Sequence, residues 1–392
     1  MKILFLSFYF SPDLSAGSFR SVSLVEALLS GWSETVEIEV ITTLPNRYSS
    51  LQEEAPEVEK LPNLTIRRIK TPRHNSGMFD QSKAFIAYAR GVEKIISDNH
   101  YDLVYATSSR LMTAILGARV ARKLKTPLYL DIRDIFVDTI GDVLPHKIGL
   151  IVAPFFSVFE RYAVNSADKV NLVSAGFLPY FQKRYPKHEF DVFTNGIDDQ
   201  FLKMETKKCP ENKNGELTVV YAGNIGEGQG LHTIVPELAL KFSGKLFFKV
   251  VGGGGRVREL ASALKLIGCE NVVLLQPVKR DDLIAIYQSA DVLFLHLNDF
   301  DAFKKVLPSK VFEYAATGKP IWAGVSGYAA EFITSKIQNS VVFPPCNISA
   351  AVSSFDNLEI LTRQRKDFNH EFSRNRIMQK MAKTLVQLGQ KV

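Results

Sequence analysis

Short apolar runs alternate with amphipathic stretches along most of the chain. In the first amphipathic stretch, Val22, Val25 and Leu29 recur at helical spacing and share one face. The apolar runs of the first half are Ile3–Phe10, Val36–Thr42, Leu64–Ile69, Leu103–Ala106, Leu128–Ile132 and Lys169–Val173. Strands that alternate with helices in this way predict a parallel sheet covered by helices on both faces.

A polar segment, Gln200–Glu216, interrupts the pattern, and we interpret it as an interdomain linker. The alternation then restarts and ends in a basic helical stretch, Leu358–Leu388. The apolar runs of the second half are Leu217–Ala222, Leu246–Val251, Val272–Leu275, Val292–Leu295 and Pro320–Ala323. The pattern predicts two doubly wound α/β domains in tandem, with ligands beyond the carboxyl ends of the strands.

Length and composition agree with this interpretation. The chain has 392 residues, more than one hydrophobic core usually supports. Its three cysteines, Cys209, Cys269 and Cys346, are far apart and lack C-x-x-C spacing, which argues against a disulfide framework or a structural zinc site and fits a reducing cytoplasm. The seven histidines form no metal-binding pair, so spacing predicts no metal site.

The first ten residues superficially resemble a signal peptide. Their apolar run is short, however, and Pro12 and Asp13 follow it without a small-residue cleavage site. We therefore interpret the run as a buried first strand. No apolar run approaches the roughly 18 residues of a membrane span, so the chain is not expected to cross a membrane.

The net charge of +7 is unevenly distributed. The segment Leu103–Leu130 contains no acidic residue, and it predicts either a solvated helix face or a surface attracted to anionic lipid. Its basic residues are Arg110, Arg119, Arg122, Lys123 and Lys125. The apolar run Ile148–Phe159 likewise predicts either a buried helix or peripheral attachment to a membrane. Nucleic acid is not an expected partner, because the basic residues are not interleaved with aromatic ones.

Two glycine-containing loops follow predicted strands and suit anion binding. In S-P-D-L-S-A-G-S-F-R (residues 11–20), Gly17 stands where a loop enters a helix, so it predicts either a phosphate contact at the helix N-terminus or only a turn. In G-N-I-G-E-G-Q-G-L (residues 223–231), four glycines permit close approach of the backbone to a ligand. The second loop matches neither a Walker A motif nor G-x-G-x-x-G.

Two further motifs carry charged side chains at helix starts. The run V-G-G-G-G-R ends in Arg256, which could reach a phosphate, unless the run is only a flexible turn. In P-S-K-V-F-E-Y (residues 308–314), Lys310 and Glu313 share one helix face. They form either an ordinary salt bridge or a site in which the carboxylate holds ribose hydroxyls and the lysine faces phosphate.

Together with T-N-G-I-D (residues 194–198) and Y-Q-S-A-D-V-L, these motifs resemble the retaining glycosyltransferases of family 4, in the branch that builds O-antigen, capsule and other surface polysaccharides. The resemblance implies the GT-B fold, in which two Rossmann-like domains face each other across a cleft. Residues 1–199 would bind the acceptor and residues 200–370 the nucleotide-sugar. The last helix, 371–392, would pack back on the N-terminal domain.

The resemblance also implies roles for single residues. Glu313 matches the second glutamate of the family's E-x7-E motif, but Lys305 stands where the first would fall. Asn224 and Gln229 occupy the positions of the usual Arg and Lys phosphate partners, and Lys310 and Arg256 are the nearest replacements for their charge. The segment D-I-R-D (residues 131–134) resembles the D-x-R-D of the branch. Its two aspartates would hold acceptor or sugar hydroxyls, or form a structural pair with Arg133.

These assignments give three sets of candidate residues. The candidate catalytic residues are Asp131, Lys310 and Glu313. The nucleotide-sugar set is Gly17, Gly223, Asn224, Gln229, Gly254, Arg256, Ser309, Lys310 and Glu313. The acceptor set is Asp13, Arg20, Arg133 and Asp134.

The resemblance implies a cytoplasmic enzyme, peripheral on the inner membrane face, that transfers a hexose with retention from a nucleotide-sugar. UDP is the expected nucleotide, with GDP next. The acceptor would be a glycan or a polyprenyl-diphosphate-linked sugar. No obvious nucleophile is present and no D-x-D motif lies in a suitable loop, which favours a front-face mechanism without a metal or other cofactor. Two alternatives are a GT-B-fold UDP-sugar epimerase and a non-catalytic sugar-nucleotide-binding protein.

Overall fold

The computed structural model describes residues 1–13, 15–45, 54–72, 78–97, 99–108, 111–135, 137–138, 146–204 and 215–390. The chain divides into two compact units. Unit 1 comprises Met1–Asn195 and Arg374–Val392, and unit 2 comprises Gly196–Ser373. The C-terminal helix therefore belongs to the unit that the first half of the chain builds. A short helix, α6 (Asp199–Leu202), overlaps the start of the predicted linker, whose residues 205–214 lie outside the described part of the chain.

Unit 1 is built on an eight-stranded sheet in the order β3-β4-β2-β1-β5-β6-β7-β8. All pairings are parallel except β3 with β4. The strands are β1 (Lys2–Leu6), β2 (Glu37–Thr43), β3 (Val58–Leu61), β4 (Leu64–Ile69), β5 (Leu103–Thr107), β6 (Leu128–Ile132), β7 (Lys169–Leu172) and β8 (Phe190–Asp191). Each predicted strand is present.

The sequence pattern differs from the structure of unit 1 at two places. The first strand ends at Leu6, yet Phe8, Tyr9 and Phe10 remain buried because the loop after the strand turns into the core. The pattern also missed β3, a mostly exposed edge strand of sequence V-E-K-L. Such a strand lacks the apolar face on which a sequence-based prediction depends.

Helices cover the sheet of unit 1. They are α1 (Ala16–Trp32), α2 (Met78–Ile96), α3 (Leu111–Leu124), α4 (His146–Asn165), α5 (Leu178–Arg184) and α14 (Arg374–Gly389). Helix α1 packs against α14, whereas α2 contacts α3 and α3 contacts α4. None of the helices in the described ranges is long and apolar enough to span a membrane.

Unit 2 contains a six-stranded, fully parallel sheet in the order β11-β10-β9-β12-β13-β14. Its strands are β9 (Leu217–Ala222), β10 (Leu246–Val251), β11 (Val272–Leu275), β12 (Val292–His296), β13 (Ile321–Gly324) and β14 (Ser340–Phe343). Its remaining helices are α7 (Leu231–Lys241), α8 (Val257–Leu266), α9 (Arg280–Gln288), α10 (Lys310–Thr317), α11 (Tyr328–Lys336), α12 (Ile348–Phe355) and α13 (Lys366–Glu371). The core includes Trp322, Phe294 and Tyr221.

The predicted C-terminal helix is two helices in the structure, α13 and α14, preceded by an irregular segment. Arg365 explains why the helix does not begin earlier. Its guanidinium is buried and donates to the carbonyl oxygens of Ala315, Lys319 and Gln338 at 2.7–3.1 Å. These contacts hold the chain against the neighbouring turns instead of allowing a continuous helix.

Candidate functional site

In unit 2, Lys310 lies directly on the backbone of Gly223 at the end of β9. A Cβ atom on Gly223, whose φ is +142°, would fall 2.2 Å from the Cε and Nζ atoms of Lys310. The ammonium group donates to the hydroxyl of Tyr221 at 3.2 Å and lies 4.7 Å from the centre of that ring. The structure thus brings together a glycine loop and a cation that sequence reasoning assigned to one phosphate site.

Helix α10 positions the two charged residues of the P-S-K-V-F-E-Y motif. It runs from Lys310 to Thr317 and is capped by Gly318, which takes a φ of +74°, as its sequence predicts. Ser309 occupies the N-cap position but its side chain does not cap the helix. The amides of Val311 and Phe312 in the first turn donate to the carbonyl oxygens of Pro308 and Ser309, and the helix dipole adds partial positive charge beside Lys310.

The carboxylate of Glu313 is held by two residues that sequence analysis missed. Its Oε1 lies 3.6 Å from Nη2 of Arg280, and the hydroxyl of Tyr287 donates to Oε2 at 3.3 Å. Arg280 also forms an ion pair with Asp198 of the T-N-G-I-D motif, and its guanidinium lies 4.9 Å from the ring centre of Phe201. Burial lowers the pKa of Arg280, and the charge of Glu313 opposes that shift.

The other members of the nucleotide-sugar set in unit 2 give a mixed picture. The side-chain amide of Asn224 donates to Oε1 of Gln229 at 2.7 Å. The two uncharged residues that stand at the positions of the family's Arg and Lys therefore contact each other. Arg256 is paired with Glu227 at 2.5 Å and also with Glu259. These two carboxylates balance the charge of Arg256. The structure therefore does not support Arg256 as the residue that supplies the positive charge absent at Asn224 and Gln229.

The glycine run after β10 packs against the glycine loop after β9. A Cβ on Gly252 would lie 1.8 Å from the carbonyl oxygen of Gly223, and a Cβ on Gly254 would lie 2.4 Å from that of Ile225. Both glycines have positive φ, +149° and +151°. The glycines of this run therefore allow two loops to approach each other closely, and a ligand contact at Gly254 is not needed to explain them.

His296 and Asn298 support the glycine loop from the end of β12. The Nδ1 atom of His296 is 2.7 Å from the carbonyl oxygen of Gln229, and its Nε2 accepts from the amide of Cys346 at 3.0 Å. Asn298 donates to the carbonyl oxygen of Glu227 at 2.9 Å. Burial lowers the pKa of His296 to about 4 despite the hydrogen bond to Gln229, so the ring is neutral at pH 7.

This histidine predicts acid sensitivity of the folded state. Its folded pKa lies below the ordinary value of 6.5, so the unfolded chain takes up the proton first. Its contribution is complete above about pH 6.5 and declines toward pH 4, where the loss amounts to about 3 kcal/mol of unfolding free energy. Urea unfolding across this pH range checks the slope. His296→Gln should flatten it, and an unchanged slope in that variant would assign the acid sensitivity to other groups.

In unit 1, Gly17 and Arg133 lie against each other at the start of α1. A Cβ on Gly17 would fall 2.1 Å from Nη1 of Arg133. The Ser15 side chain caps the helix by accepting from the amide of Ser18. A guanidinium beside a helix N-terminus suits an anion, which agrees with the phosphate interpretation of Gly17.

Asp131 lies in the core rather than in an open site. It is completely buried and forms a two-pronged ion pair with Arg20, with distances of 2.8 and 3.0 Å. The hydroxyl of Tyr105 and the amide of Asn171 also donate to it, at 3.0 and 2.7 Å. Burial acts to raise the pKa of Asp131, but Arg20 holds it below its usual value.

The predicted roles of Asp131 and Arg20 change accordingly. The structure does not support a catalytic role for Asp131 or an acceptor contact by Arg20. Both side chains are buried, and they form an ion pair with each other. The structural partner of Asp131 is Arg20, not Arg133 as the D-I-R-D motif suggested. Of the two remaining acceptor candidates, Asp13 is buried and Asp134 is exposed.

Two protein-family models match the chain, one in each half. Residues 22–196 match the Glycosyl transferase 4-like domain, and residues 203–374 match Glycosyl transferases group 1. The chain is also 26% identical to the putative colanic acid biosynthesis glycosyl transferase WcaI of Escherichia coli (strain K12), over 93% of this chain and 92% of that protein.

Solved structures of two other proteins share the architecture. Anabaena Alr3699/HepE in complex with UDP-glucose superimposes with a TM-score of 0.69 at 18% identity, covering 99% of this chain and 100% of that one. WaaG, a glycosyltransferase involved in lipopolysaccharide biosynthesis, gives a TM-score of 0.65 at 14% identity, covering 99% and 98%. The two parallel-sheet α/β domains are those of the GT-B fold, as predicted.

Proposed function

We propose that this chain, a glycosyltransferase with the GT-B fold, transfers a hexose from a UDP-sugar, with retention of configuration, in the synthesis of a cell-surface polysaccharide. The observation that carries the proposal is the pairing of Lys310 with the Gly223 loop, one helical turn from Glu313. The acceptor we propose is a glycan or a polyprenyl-diphosphate-linked sugar at the cytoplasmic membrane face. Similarity to WcaI and WaaG, which are described as glycosyltransferases of colanic acid and lipopolysaccharide biosynthesis, supports a role in polysaccharide synthesis. The UDP-glucose complex of Alr3699/HepE supports a UDP-sugar as the donor.

In this proposal unit 2 binds the donor. Lys310, the positive end of the α10 dipole and the backbone at Gly223 would surround the diphosphate. Positive charge placed there stabilises the leaving group as its negative charge grows, which is the main electrostatic requirement of glycosyl transfer from a nucleotide. Glu313, held by Arg280 and Tyr287, would accept hydrogen bonds from the ribose hydroxyls.

The proposed reaction proceeds on one face of the sugar. The leaving diphosphate oxygen would take the proton of the attacking acceptor hydroxyl, so the protein need not supply a nucleophile. Its contribution would be to orient both substrates and to stabilise the diphosphate. We assign the acceptor to unit 1, where Arg133 and the N-terminus of α1 offer a site for an acceptor phosphate.

A donor screen followed by product analysis tests the proposal. Thermal shift with UDP, GDP and their hexose conjugates at equal concentration should give the largest stabilisation with a UDP-hexose, because the stabilisation by a ligand increases with the logarithm of its affinity. Transfer to a polyprenyl-diphosphate-linked sugar should then give a product with the anomeric configuration of the donor. An inverted product would contradict retention, and epimerisation of the UDP-sugar without acceptor would favour the epimerase.

A further inference from the structure

Arg280 is shared between two carboxylates of unit 2. Its Nη2 atom pairs with Oδ2 of Asp198 and lies 3.6 Å from Oε1 of Glu313. The contact with Asp198 is the closer of the two, and a separation of 3.6 Å is an ion pair without a hydrogen bond. Arg280 therefore offsets the charge of Glu313 and leaves its Oε1 atom able to accept hydrogen bonds from another donor.

The carboxylate of Glu313 has more acceptor capacity than the surrounding protein uses. Its side chain is only 12% exposed. Among the described residues, only the Tyr287 hydroxyl donates a hydrogen bond to it, at 3.3 Å. An ionised carboxylate accepts about four hydrogen bonds, and buried polar groups are usually satisfied. This carboxylate is therefore suited to a ligand that brings its own donors, such as the two hydroxyls of a ribose.

Aromatic rings hold Arg280 in its place. Its guanidinium lies 4.9 Å from the centre of the Phe201 ring, and Phe201 stacks with Tyr287 at 5.8 Å between ring centres. Tyr287 in turn meets the ring of Tyr314 edge-on at 5.3 Å. All three rings are buried. Because a packed interior leaves such rings little room to move, the guanidinium is confined beside the two carboxylates.

The position of Asp198 indicates that its pairing with Arg280 is specific. Asp198 immediately precedes α6, where an aspartate usually accepts a hydrogen bond from the first amides of the helix. Its side chain makes no such cap and contacts Arg280 instead. The arrangement thus joins three separate elements: the T-N-G-I-D motif, the first residue of α9 and the first turn of α10.

We propose that Asp198 and Arg280 are positioning residues that make Glu313 selective for ribonucleotides over deoxyribonucleotides. Arg280 orients the carboxylate of Glu313 and offsets its charge. Asp198 engages Arg280 and keeps it from closing on Glu313, where it would occupy the Oε1 atom. The inference rests on the proposed function, in which Glu313 accepts the ribose hydroxyls, and it makes that recognition depend on two further residues.

Calorimetric titration with UDP and with 2′,3′-dideoxyuridine diphosphate tests the proposal. The two ligands share their base and phosphates, so the ratio of their dissociation constants isolates the contribution of the hydroxyls. The wild type should prefer UDP by about tenfold or more, which corresponds to one hydrogen bond to a charged group. A purely structural role would change both affinities alike and leave the ratio as it is.

Arg280→Gln should reduce the preference for UDP to about threefold, the contribution of a hydrogen bond to a carboxylate that is no longer oriented. Affinity for both ligands should fall, because Glu313 then repels the diphosphate, but UDP should lose more. With a UDP-hexose, KM should rise while kcat changes little. The control is Arg363→Gln, which makes the same change in an ion pair with Glu359 whose side chains are 48% and 58% exposed. It should keep the wild-type ratio.

Asp198→Asn should also reduce the preference, but for the opposite reason. Without its closer partner, Arg280 is expected to move onto Oε1 of Glu313 and take the place of a ribose hydroxyl. UDP should then bind about three- to tenfold more weakly, and in the Arg280→Gln background the same substitution should add almost nothing. Glu359→Gln, which removes an exposed carboxylate from the same unit, should have no effect in either background.

Two outcomes would overturn the inference alone: a wild-type ratio that persists in Arg280→Gln, or losses from Arg280→Gln and Asp198→Asn that simply add. Melting temperatures identify a variant that has lost its fold. Asp198→Asn leaves Arg280 beside Glu313, so it tests the inference even if Arg280→Gln does not fold. A wild-type chain that binds no UDP would instead reject the proposed donor, and equal binding of the two nucleotides would reject the ribose contact of Glu313.

Discussion

Glu313→Gln is expected to weaken UDP-sugar binding by about 10- to 150-fold. This corresponds to the loss of about 1.5–3 kcal/mol, the usual contribution of hydrogen bonds to a charged group. The carboxylate is only 12% exposed, so water cannot readily replace its partners. The effect should be mainly on donor affinity, because contacts to ribose change little during the reaction. Calorimetric titration with UDP and initial rates over a range of donor concentrations measure the two parameters.

Lys310→Ala should behave differently from Glu313→Gln. If its ammonium group faces the diphosphate, its interaction strengthens as the leaving group gains charge, so turnover should fall more than affinity. The alternative is that the two side chains only stabilise the fold, Glu313 through Arg280 and Tyr287 and Lys310 through Tyr221. Near-wild-type kinetics in both variants would then be observed, and the site assignment would be wrong.

A matched control is available in the same unit. Lys336 and Glu371 form an exposed ion pair at 3.1 Å, with side chains 46% and 53% exposed. Glu371→Gln makes the same chemical change as Glu313→Gln and should alter neither donor affinity nor turnover. Melting temperatures of all three variants separate a loss of stability from a loss of the site.

The residues predicted from sequence were those whose local motif determines their surroundings. The bounds of α10 follow from Pro308 and Gly318, and the place of Lys310 beside Gly223 follows from two loops at the carboxyl end of one parallel sheet. Alternating apolar runs likewise predicted the strands that form the two sheets. Such features depend on few residues that are close in sequence or on a repeated pattern.

The residues that were missed are placed by partners far away in sequence. Arg280 follows β11 with no motif of its own, and only the fold brings it to Glu313 and Asp198. His296 ends a buried strand and meets Cys346, fifty residues later, through a backbone amide. The partner of the four-glycine run is also set by the fold, because Gly252 and Gly254 pack against the loop that contains Gly223 and Ile225.

Asp131 is the clearest example of a residue whose partner lies far away in the sequence. Loss of its buried ion pair is expected to have the largest effect on stability. Nothing in D-I-R-D indicates that Arg20, more than a hundred residues earlier, is the buried partner. Arg20 also donates to the carbonyl oxygen of Thr194 at 2.7 Å, next to the end of unit 1 at Asn195. The pair therefore joins β6 and α1 to the last residues before the chain leaves the unit.

Asp131→Asn should lower the free energy of unfolding by about 3–5 kcal/mol, because it leaves the guanidinium of Arg20 buried without a counter-charge. Asp131→Asn combined with Arg20→Met should recover part of this loss, since no unpaired charge then remains in the core. Asp134→Asn, a change of the same kind at an exposed neighbour, should cost little. Urea unfolding measures all three, and donor thermal shifts and transfer rates are measured at a temperature where each variant is folded. If Asp131→Asn is as stable as the wild type but does not transfer sugar, the ion pair is not structural, and the catalytic role predicted from the sequence is correct after all.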